Sequence, residues 1–375
     1  MPTVLKRGKG KEKYLFLLPM YKAIFAIGFL FFGLPLISVA QDTTAIDRIL
    51  AAYNGENPGA SLLVVQDGRV LLQRHYGYAD LEHKQPVSAT TNFRLASVSK
   101  QFTATCILQL VHQGKLAMGT TLAEAFPGFP AYGNTVTVKH LLTHTSGIPD
   151  YEDYVADTAF NPQIKDQGVL DILMKLESGY FKPGTQFRYS NSGYALLALM
   201  VARYSGQPFA AYLQQHIFAP LGMTSTLAHE EGKTTVPVRA FGYSATDGRW
   251  VRRDQSSTSA VLGDGGIYSN VLDMLKWDQA LYTGSVLPIH WIDESFAYHR
   301  LAGGGTVGYG YGWHLKQTKD GHKAVYHTGS STSFRNIFYR IPSRRFSIIL
   351  LTNRNEPREE DMLTLAELIA EVLRP

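Results

Sequence analysis

The amino-acid sequence predicts an α/β fold of the α+β kind, with an antiparallel sheet built from both chain ends, flanking helices and an inserted, mostly helical subdomain. Strand-like runs lie near the start, at Ala60–Gln66 and Val70–Tyr76, and near the end, at Phe334–Ile341 and Phe346–Thr352. The chain between them shows mainly helical apolar spacing, with connections rich in proline and glycine. This order is typical of a single sheet that the two ends of the chain complete together.

The first forty residues have the pattern of a secretory signal peptide. An apolar run at Ala23–Ile37 is followed by Ser38-Val39-Ala40, a small-x-small cleavage pattern, before Gln41. A membrane anchor is the alternative, although the run is shorter than the roughly 20 residues that a span requires. We therefore expect export to the periplasm or the extracellular space of a bacterium, with no stable membrane anchor once residues 1–40 are removed. Residues 1–19 have a second interpretation, an over-long start of the reading frame.

We expect one domain over residues 41–375, with an α/β part at about 41–96 and 296–375 and a helical part at about 97–295. Asp67-Gly68 joins the two early strands as a hairpin turn, and Asp320-Gly321 separates two further runs near the end. Phe346–Thr352 is apolar throughout, as a buried central strand would be. The other predicted elements are strands at His314–Thr318 and Lys323–His327 and helices at Leu170–Leu176, Tyr194–Tyr204, Phe209–Ile217 and Asp361–Leu373.

The helical part opens with Ser97-Val98-Ser99-Lys100, the only Ser-x-x-Lys sequence in the 375 residues. Because residues three apart share a helix face, the Ser97 hydroxyl and the Lys100 amine can meet. A desolvated, partly neutral amine can take the hydroxyl proton and make the serine nucleophilic. The alternative is a serine that caps the helix, with a solvated lysine one turn later. Apolar residues follow at every fourth position, namely Val98, Phe102, Cys106 and Leu110.

A second candidate motif is Tyr189-Ser190-Asn191, which follows a Pro-Gly turn and precedes a predicted helix. A phenol near a nucleophile can relay protons, and a side-chain amide can hold a substrate. The same three letters recur at Tyr268-Ser269-Asn270. There a helix-like run begins directly afterwards with an acidic residue in its first turn, so we assign the second triplet to helix capping.

The third candidate motif is His327-Thr328-Gly329-Ser330, at the end of a predicted strand. Gly329 would let a substrate approach the strand backbone closely. The backbone N–H of Ser330, with that of Ser97, could form an oxyanion hole. Taken alone, His-Thr-Gly is equally typical of a strand that enters a turn.

In this order the three motifs resemble the signature of the serine β-lactamase and penicillin-binding protein superfamily: Ser-x-x-Lys, Tyr-x-Asn and then Lys/His-Thr-Gly. The wide gaps between the motifs resemble the class C β-lactamase branch, as do four local stretches, Phe93–Ala96, His140–Pro149, Gly265-Gly266 and Gly308–Trp313. The resemblance implies a β-lactamase/transpeptidase-like fold, with Ser97 as the acylated nucleophile and Lys100 with Tyr189 as the proton-transfer pair. It also implies that the oxyanion hole is formed by the Ser97 and Ser330 N–H groups and that substrate is contacted by Asn191, His327, Thr328 and Gly329.

One departure from that family is His327, because the best-known β-lactamases carry lysine there. Histidine is mostly neutral above its ordinary pKa of about 6.5, so it supplies less positive charge to a substrate carboxylate. The resemblance therefore implies an exported serine hydrolase that cleaves an ester or amide bond, in an ester, a D-amino-acid peptide or amide, or a β-lactam, through acyl-Ser97. The alternative is a penicillin-binding or sensing module that is acylated without efficient turnover, or a non-catalytic relative of the fold.

The remaining features argue against other classes of function. The net charge of +5 arises in residues 1–40, which hold six basic residues and one acidic residue, and the rest of the chain has 30 of each. We therefore expect no nucleic-acid partner but a small-molecule or peptide substrate, with the cell wall as one source. His140 and His144 have the i, i+4 spacing of a metal pair but lack a third ligand, so we expect neither a metal nor a cofactor. We interpret Cys106, the only cysteine, as a packed thiol.

Overall fold

The computed structural model describes residues 43–155 and 162–373. The expected signal peptide, residues 1–40, lies outside these residues. Among the residues described, no helix has the length and apolar character needed to cross a membrane.

The described residues form fifteen strands, eleven α-helices and several shorter helical turns. The strands are β1 Ala60–Gln66, β2 Arg69–Tyr76, β3 Tyr78–Asp80, β4 Gln85–Pro86, β5 Phe93–Arg94, β6 Leu227–Ala228, β7 Tyr243–Thr246, β8 Arg249–Arg252, β9 Ile267–Ser269, β10 His299–Arg300, β11 Thr306–Val307, β12 His314–Gln317, β13 Lys323–Ser331, β14 Phe334–Ile341 and β15 Phe346–Thr352. The α-helices are α1 Thr44–Ile49, α2 Lys100–His112, α3 Leu122–Ala125, α4 Val138–Leu142, α5 Asp166–Leu173, α6 Asn191–Ser205, α7 Phe209–Leu213, α8 Leu262–Gly265, α9 Val271–Thr283, α10 Ile289–Ser295 and α11 Glu359–Leu373. Shorter 3₁₀ turns lie at Ala51–Tyr53, Ala96–Ser99, Ala131–Asn134, Tyr151–Tyr154 and Pro342–Arg344, and a π turn lies at Gln214–Phe218.

The main sheet has six strands within residues 43–155 and 162–373, in the order β12-β13-β14-β15-β1-β2. All neighbouring strands are antiparallel. Strand β1, from the start of the chain, pairs with β15, from its end, in a register that runs from Ala60–Thr352 to Gln66–Phe346. The predicted sheet built from both chain ends is therefore confirmed.

Each face of this sheet is covered by its own hydrophobic core. In β15, Ile348 and Leu350 belong to the core that includes α1 and α11, whereas Ile349 and Leu351 belong to the core shared with the inserted helices. Because side chains alternate between the faces of a strand, a strand covered on both sides is apolar at every position. This accounts for the continuous apolar run of β15, whose residues are all buried, and confirms its predicted central place.

Both predicted hairpin turns are present, but the last strand of the second hairpin is longer than predicted. Asp67 and Gly68 have φ angles of 51° and 76°, the left-handed conformation that a two-residue turn between twisted strands needs. Strand β13 continues past His327, its predicted end, to Ser331. The extra residues stay paired with β14. The His327–Ser330 motif therefore lies inside a strand, and the prediction that it ends one is wrong.

The inserted segment is mainly helical, but it also contains short strands that the sequence pattern did not show. Strand β9 lies between β5 and β6 in a small sheet. This sheet holds Phe93 and Arg94, the residues that lead into the Ser97 turn. Strands of two or three residues are too short to produce a visible alternation of apolar and polar residues.

The predicted helices are present with shifted ends. The helix predicted at Tyr194–Tyr204 is α6, which begins at Asn191 and ends where Gly206 takes a left-handed φ of 74°. The helices predicted at Leu170–Leu176 and Phe209–Ile217 correspond to α5 and to α7 with the π turn. The boundaries predicted for the helical part, at about 97 and 295, stay predictions.

Candidate active site

Ser97 lies on the 3₁₀ turn that leads directly into α2. Ser97 itself is partly exposed, whereas its neighbours Val98 and Ser99 are buried. Ala96 has a φ of 49°, a left-handed conformation that is strained for a residue with a Cβ atom. The predicted apolar stripe of this segment is fully buried at Val98, Phe102, Cys106 and Leu110. The turn therefore holds the Ser97 backbone on a rigid, buried helix while its side chain remains accessible.

The amine of Lys100 is fully buried and has three hydrogen-bond partners. Its Nζ lies 3.0 Å from the Ser97 Oγ, 2.8 Å from the Asn191 Oδ1 and 2.9 Å from the backbone oxygen of Asp264. Burial lowers the pKa of Lys100, although nearby carboxyls, led by that of Asp264, oppose this shift. The complete burial of Lys100 excludes the alternative of a solvated lysine one turn after a capping serine.

The Tyr189-Ser190-Asn191 motif is brought to the same place by the start of α6. The Ser190 hydroxyl caps this helix, so Asn191 is its first residue and reaches Lys100. The centre of the Tyr189 ring lies 5.0 Å from the Lys100 Nζ. Burial raises the pKa of Tyr189 well above its ordinary value, and the contact with the Ser97 side chain opposes only part of that rise. The Tyr189 hydroxyl is therefore protonated at neutral pH.

The second triplet, Tyr268-Ser269-Asn270, starts a helix, as predicted. Asn270 is the N-cap of α9, and its Oδ1 accepts two backbone N–H bonds from the first turn of that helix. Tyr268 lies in β9, is fully buried and accepts a hydrogen bond from Arg239 at 3.2 Å. The same three letters thus occupy two different structural contexts, which the elements around them determine.

Strand β13 passes directly against the Ser97 turn, and Gly329 makes this approach possible. A Cβ atom at Gly329 would lie 2.2 Å from the backbone oxygen of Leu95 and 3.2 Å from the Val98 side chain. The chain before Ser97 therefore leaves no room for a side chain at residue 329. As a result Ser330, the next residue, lines the same cavity as Ser97.

Other residues of the chain hold the side chains of His327 and Thr328. The Thr328 hydroxyl donates to the Glu359 carboxylate at 2.7 Å. His327 is 1% exposed, with its Nδ1 2.6 Å from the Thr328 backbone oxygen and its Nε2 2.8 Å from the Tyr309 hydroxyl. A carbonyl oxygen only accepts, so Nδ1 carries the proton and Nε2 accepts from Tyr309. Burial lowers the pKa of His327 well below its ordinary value, so the ring is neutral. This placement favours a positioning role for His327 over direct contact with substrate.

A cavity of about 340 Å³ opens beside Ser97. Its walls include three of the predicted site residues, Ser97, Asn191 and Ser330. They also include charged residues that sequence reasoning missed, namely Arg94, Glu152 and Asp264.

The two carboxyls of this cavity have pKa values raised into the neutral pH range. Burial raises the pKa of Asp264 to about 7, although Lys100 opposes the shift, and its Oδ2 accepts a hydrogen bond from Tyr151 at 2.8 Å. The surrounding protein and the neighbouring Asp264 and Asp150 carboxyls raise the pKa of Glu152 to about 7. The sequence indicates these two carboxyls only indirectly. Glu152 follows the His140–Pro149 stretch and Asp264 precedes Gly265-Gly266, two of the stretches that resemble the family.

The i, i+4 histidines do not form a pair. His140 takes part in the capping box of α4 with Thr137, and this helix ends at Leu142. His144, beyond the helix, is fully buried with a φ of 55°. In the part of the chain that the structure describes, no three or more His, Cys, Asp or Glu side chains are grouped so that they could hold a metal ion.

Comparison with known proteins places this geometry in a family. A family model described as Beta-lactamase matches residues 46–372. The chain belongs to the beta-lactamase family. The resemblance inferred from the three motifs is thereby confirmed, and at this general level the chain is a serine hydrolase.

Two relatives of similar sequence are named as penicillin-binding proteins. Penicillin-binding protein 4* of Bacillus subtilis is 32% identical over 318 residues, which cover 81% of this chain and 70% of that protein. The chain spans 55% of the length of another relative, the putative penicillin-binding protein PbpX of B. subtilis.

Two solved structures share the fold. The octameric penicillin-binding protein homologue from Pyrococcus abyssi has a TM-score of 0.76 and 28% identity, over 90% of this chain and 78% of that one. The D-amino acid amidase from Ochrobactrum anthropi SV3, complexed with L-phenylalanine amide, has a TM-score of 0.74 and 25% identity, over 88% of this chain and 98% of that one. These likenesses confirm the predicted fold class.

We predict that Gly329→Ala destabilises the protein by about 2 kcal/mol or more, because the new methyl group meets backbone that cannot move aside. Gly119→Ala is the matched control, since a Cβ atom there has no neighbour within 4 Å, and it should change stability by less than about 0.5 kcal/mol. Denaturant unfolding of both variants measures the difference. Equal stability of the two variants would show that β13 does not depend on contact with the Ser97 turn.

We also predict that Tyr189→Phe lowers the rate of single-turnover acylation by a factor of about 10² or more, the usual effect of losing an acid–base group. Tyr268→Phe is the matched control, because it removes a buried hydroxyl from the same three-letter sequence. It should change the rate by less than about tenfold, or roughly 1.4 kcal/mol of barrier. If Tyr268→Phe proves to be the impaired variant, the second motif has been assigned to the wrong triplet.

Proposed function

We propose that this protein hydrolyses amide or ester bonds through an acyl-enzyme on Ser97, with Lys100 as the proton acceptor. The hydrogen bonds of the Lys100 amine carry this proposal. Two of its partners, the Asn191 Oδ1 and the Asp264 backbone oxygen, can only accept, so a neutral amine donates both of its protons to them. The lone pair of the amine is then left for the Ser97 hydroxyl, 3.0 Å away.

The reaction follows from this arrangement. The Ser97 Oγ attacks the substrate carbonyl carbon while its proton passes to Lys100, and the oxyanion that forms is stabilised by the N–H groups of Ser97 and Ser330. Tyr189 donates its proton to the leaving group as the carbon–heteroatom bond breaks, and it recovers a proton from Lys100. Water then attacks the acyl-enzyme by the same route in reverse, which releases the acid and restores Ser97.

The charges around the cavity favour a substrate that carries an ammonium group over one that carries a carboxylate. Glu152 and Asp264 lie in the cavity wall, and a bound ammonium would favour their ionised forms. His327 is neutral and enclosed, so it offers no positive charge to a carboxylate. Arg94 is a cation of the same wall, but it is only 4% exposed and its Nη2 donates to the Ser259 backbone oxygen at 2.8 Å.

An amino-acid amide with a free α-ammonium group fits this charge pattern and is our proposed substrate, and we take the D configuration from the likeness to the D-amino acid amidase. The fold shared with the D-amino acid amidase over 88% of the chain supports the choice. The proposal extends to export beyond the cytoplasm, because residues 1–40 have the pattern of a signal peptide.

A second candidate function, a penicillin-binding protein acylated without efficient turnover, is favoured by the 32% identity to penicillin-binding protein 4*. The two candidates differ in the fate of the acyl-enzyme. A long-lived benzylpenicillin adduct, with no release of amine from amino-acid amides, would support the second.

We predict that Glu152→Gln lowers the preference for an ammonium substrate by about tenfold or more, since a charge-assisted hydrogen bond contributes about 1.5–3 kcal/mol. The measurement is kcat/KM for D-alanine p-nitroanilide divided by kcat/KM for its N-acetyl derivative. Glu177→Gln, which changes an exposed glutamate, is the matched control and should leave the ratio unchanged.

The same ratio should depend on pH, and the sign follows from the two titrating partners. Below the Glu152 pKa of about 7 the carboxyl is protonated and loses its attraction for an ammonium group. Above the substrate amine pKa of about 8 the ammonium loses its charge. The ratio should therefore be greatest between these values, and a ratio independent of pH and of the Glu152 substitution would contradict the proposed substrate class.

A further inference from the structure

His144 accepts hydrogen bonds from the residues on both sides of Tyr189. Its backbone oxygen accepts the Arg188 N–H at 2.9 Å, and its Nδ1 accepts the Ser190 N–H at 3.1 Å. A single residue from a distant part of the sequence therefore holds the N–H groups of both chain neighbours of Tyr189.

These bonds define the chemical form of the imidazole. Since Nδ1 accepts a backbone N–H, the proton of the neutral ring is on Nε2. Nε2 is buried and has no hydrogen-bond partner among the residues that the structure describes. The ring lies 4.5 Å from the Tyr309 ring at an angle of 63°, and 4.2 Å from the Tyr189 ring. Burial lowers the pKa of His144 well below its ordinary value, so this neutral form persists across the working pH range.

The backbone of His144 is also unusual. Its φ of 55° is left-handed, a conformation that histidine, asparagine and aspartate adopt more readily than most residues with a side chain. This conformation turns the chain after α4 so that the carbonyl and the Nδ1 of one residue both reach the Tyr189 segment.

We propose that His144 is the positioning residue for Tyr189: it holds the phenol against Ser97 and Lys100 through two backbone hydrogen bonds and a ring contact. The same ring contacts Tyr309, whose hydroxyl donates to His327. His144 thus also joins the second motif to the third. This role differs from that of a metal ligand, which the spacing of His140 and His144 would allow. This inference rests on the proposed function, because it gives His144 an effect on rate only through Tyr189.

The experiment compares His144→Asn with His144→Gln in single-turnover acylation of the full chain by D-alanine p-nitroanilide. Asparagine places an acceptor oxygen close to the position of Nδ1 and tolerates the left-handed backbone, whereas glutamine places its amide near the position of Nε2. We expect His144→Gln to slow acylation by tenfold or more, since small misplacement of a reacting group is costly. His144→Asn should recover most of the wild-type rate. Similar losses in both variants would overturn the assignment.

Each substitution is then repeated in Tyr189→Phe, which separates positioning from a general loss of structure. If His144 acts through Tyr189, His144→Gln should slow acylation by less than about twofold in that background. An equal loss in both backgrounds would overturn the inference, because a merely structural effect does not require the phenol. Thermal unfolding of all variants reports structural damage independently. A wild-type rate for Tyr189→Phe alone would identify the role of Tyr189 in the proposed function as the failing step, and the inference would fall with it.

Discussion

The buried amine of Lys100 is the constraint on which the rest of the site depends. An amine removed from water must find hydrogen-bond partners within the protein, and here it finds them on separate elements: Ser97 before α2, Asn191 at the start of α6 and the Asp264 carbonyl in α8. These elements are far apart in sequence, so the position of one nitrogen fixes how three helices meet. Because two of the three partners can only accept, the same packing also determines which way the Ser97 proton can move.

The main sheet supplies the other half of the site. Its strands come from both chain ends, and β13 approaches the Ser97 turn closely only because residue 329 lacks a side chain. This contact brings Ser330 to the cavity, while His327 is turned inward and bonded to Tyr309. Two carboxyls with a raised pKa, those of Glu152 and Asp264, then remain in the wall of the cavity. The charge of the cavity thus depends on how β13 packs, and not only on which residues form the third motif.

Sequence reasoning succeeded where a feature is local or repeated along the chain. The hairpins, the apolar β15 strand and the meeting of Ser97 with Lys100 each depend on neighbours within a few residues. It failed where the decisive contact is distant. Nothing near Asp264 indicates that its carbonyl meets an amine 164 residues earlier. Gly329 was identified, but only the packed structure shows that Leu95 is what approaches it.

The central claim is that a neutral Lys100 accepts the Ser97 proton, and the pH dependence of covalent labelling tests it most directly. The measurement is the rate at which a fluorophosphonate adds to the full chain at a series of pH values, followed by intact mass and located by peptide mapping. The account predicts a single adduct on Ser97 whose rate rises with an inflection well below the ordinary lysine pKa of about 10.4. It predicts no adduct in Ser97→Ala. An adduct that persists in Ser97→Ala, or an inflection at the ordinary lysine value, would contradict it.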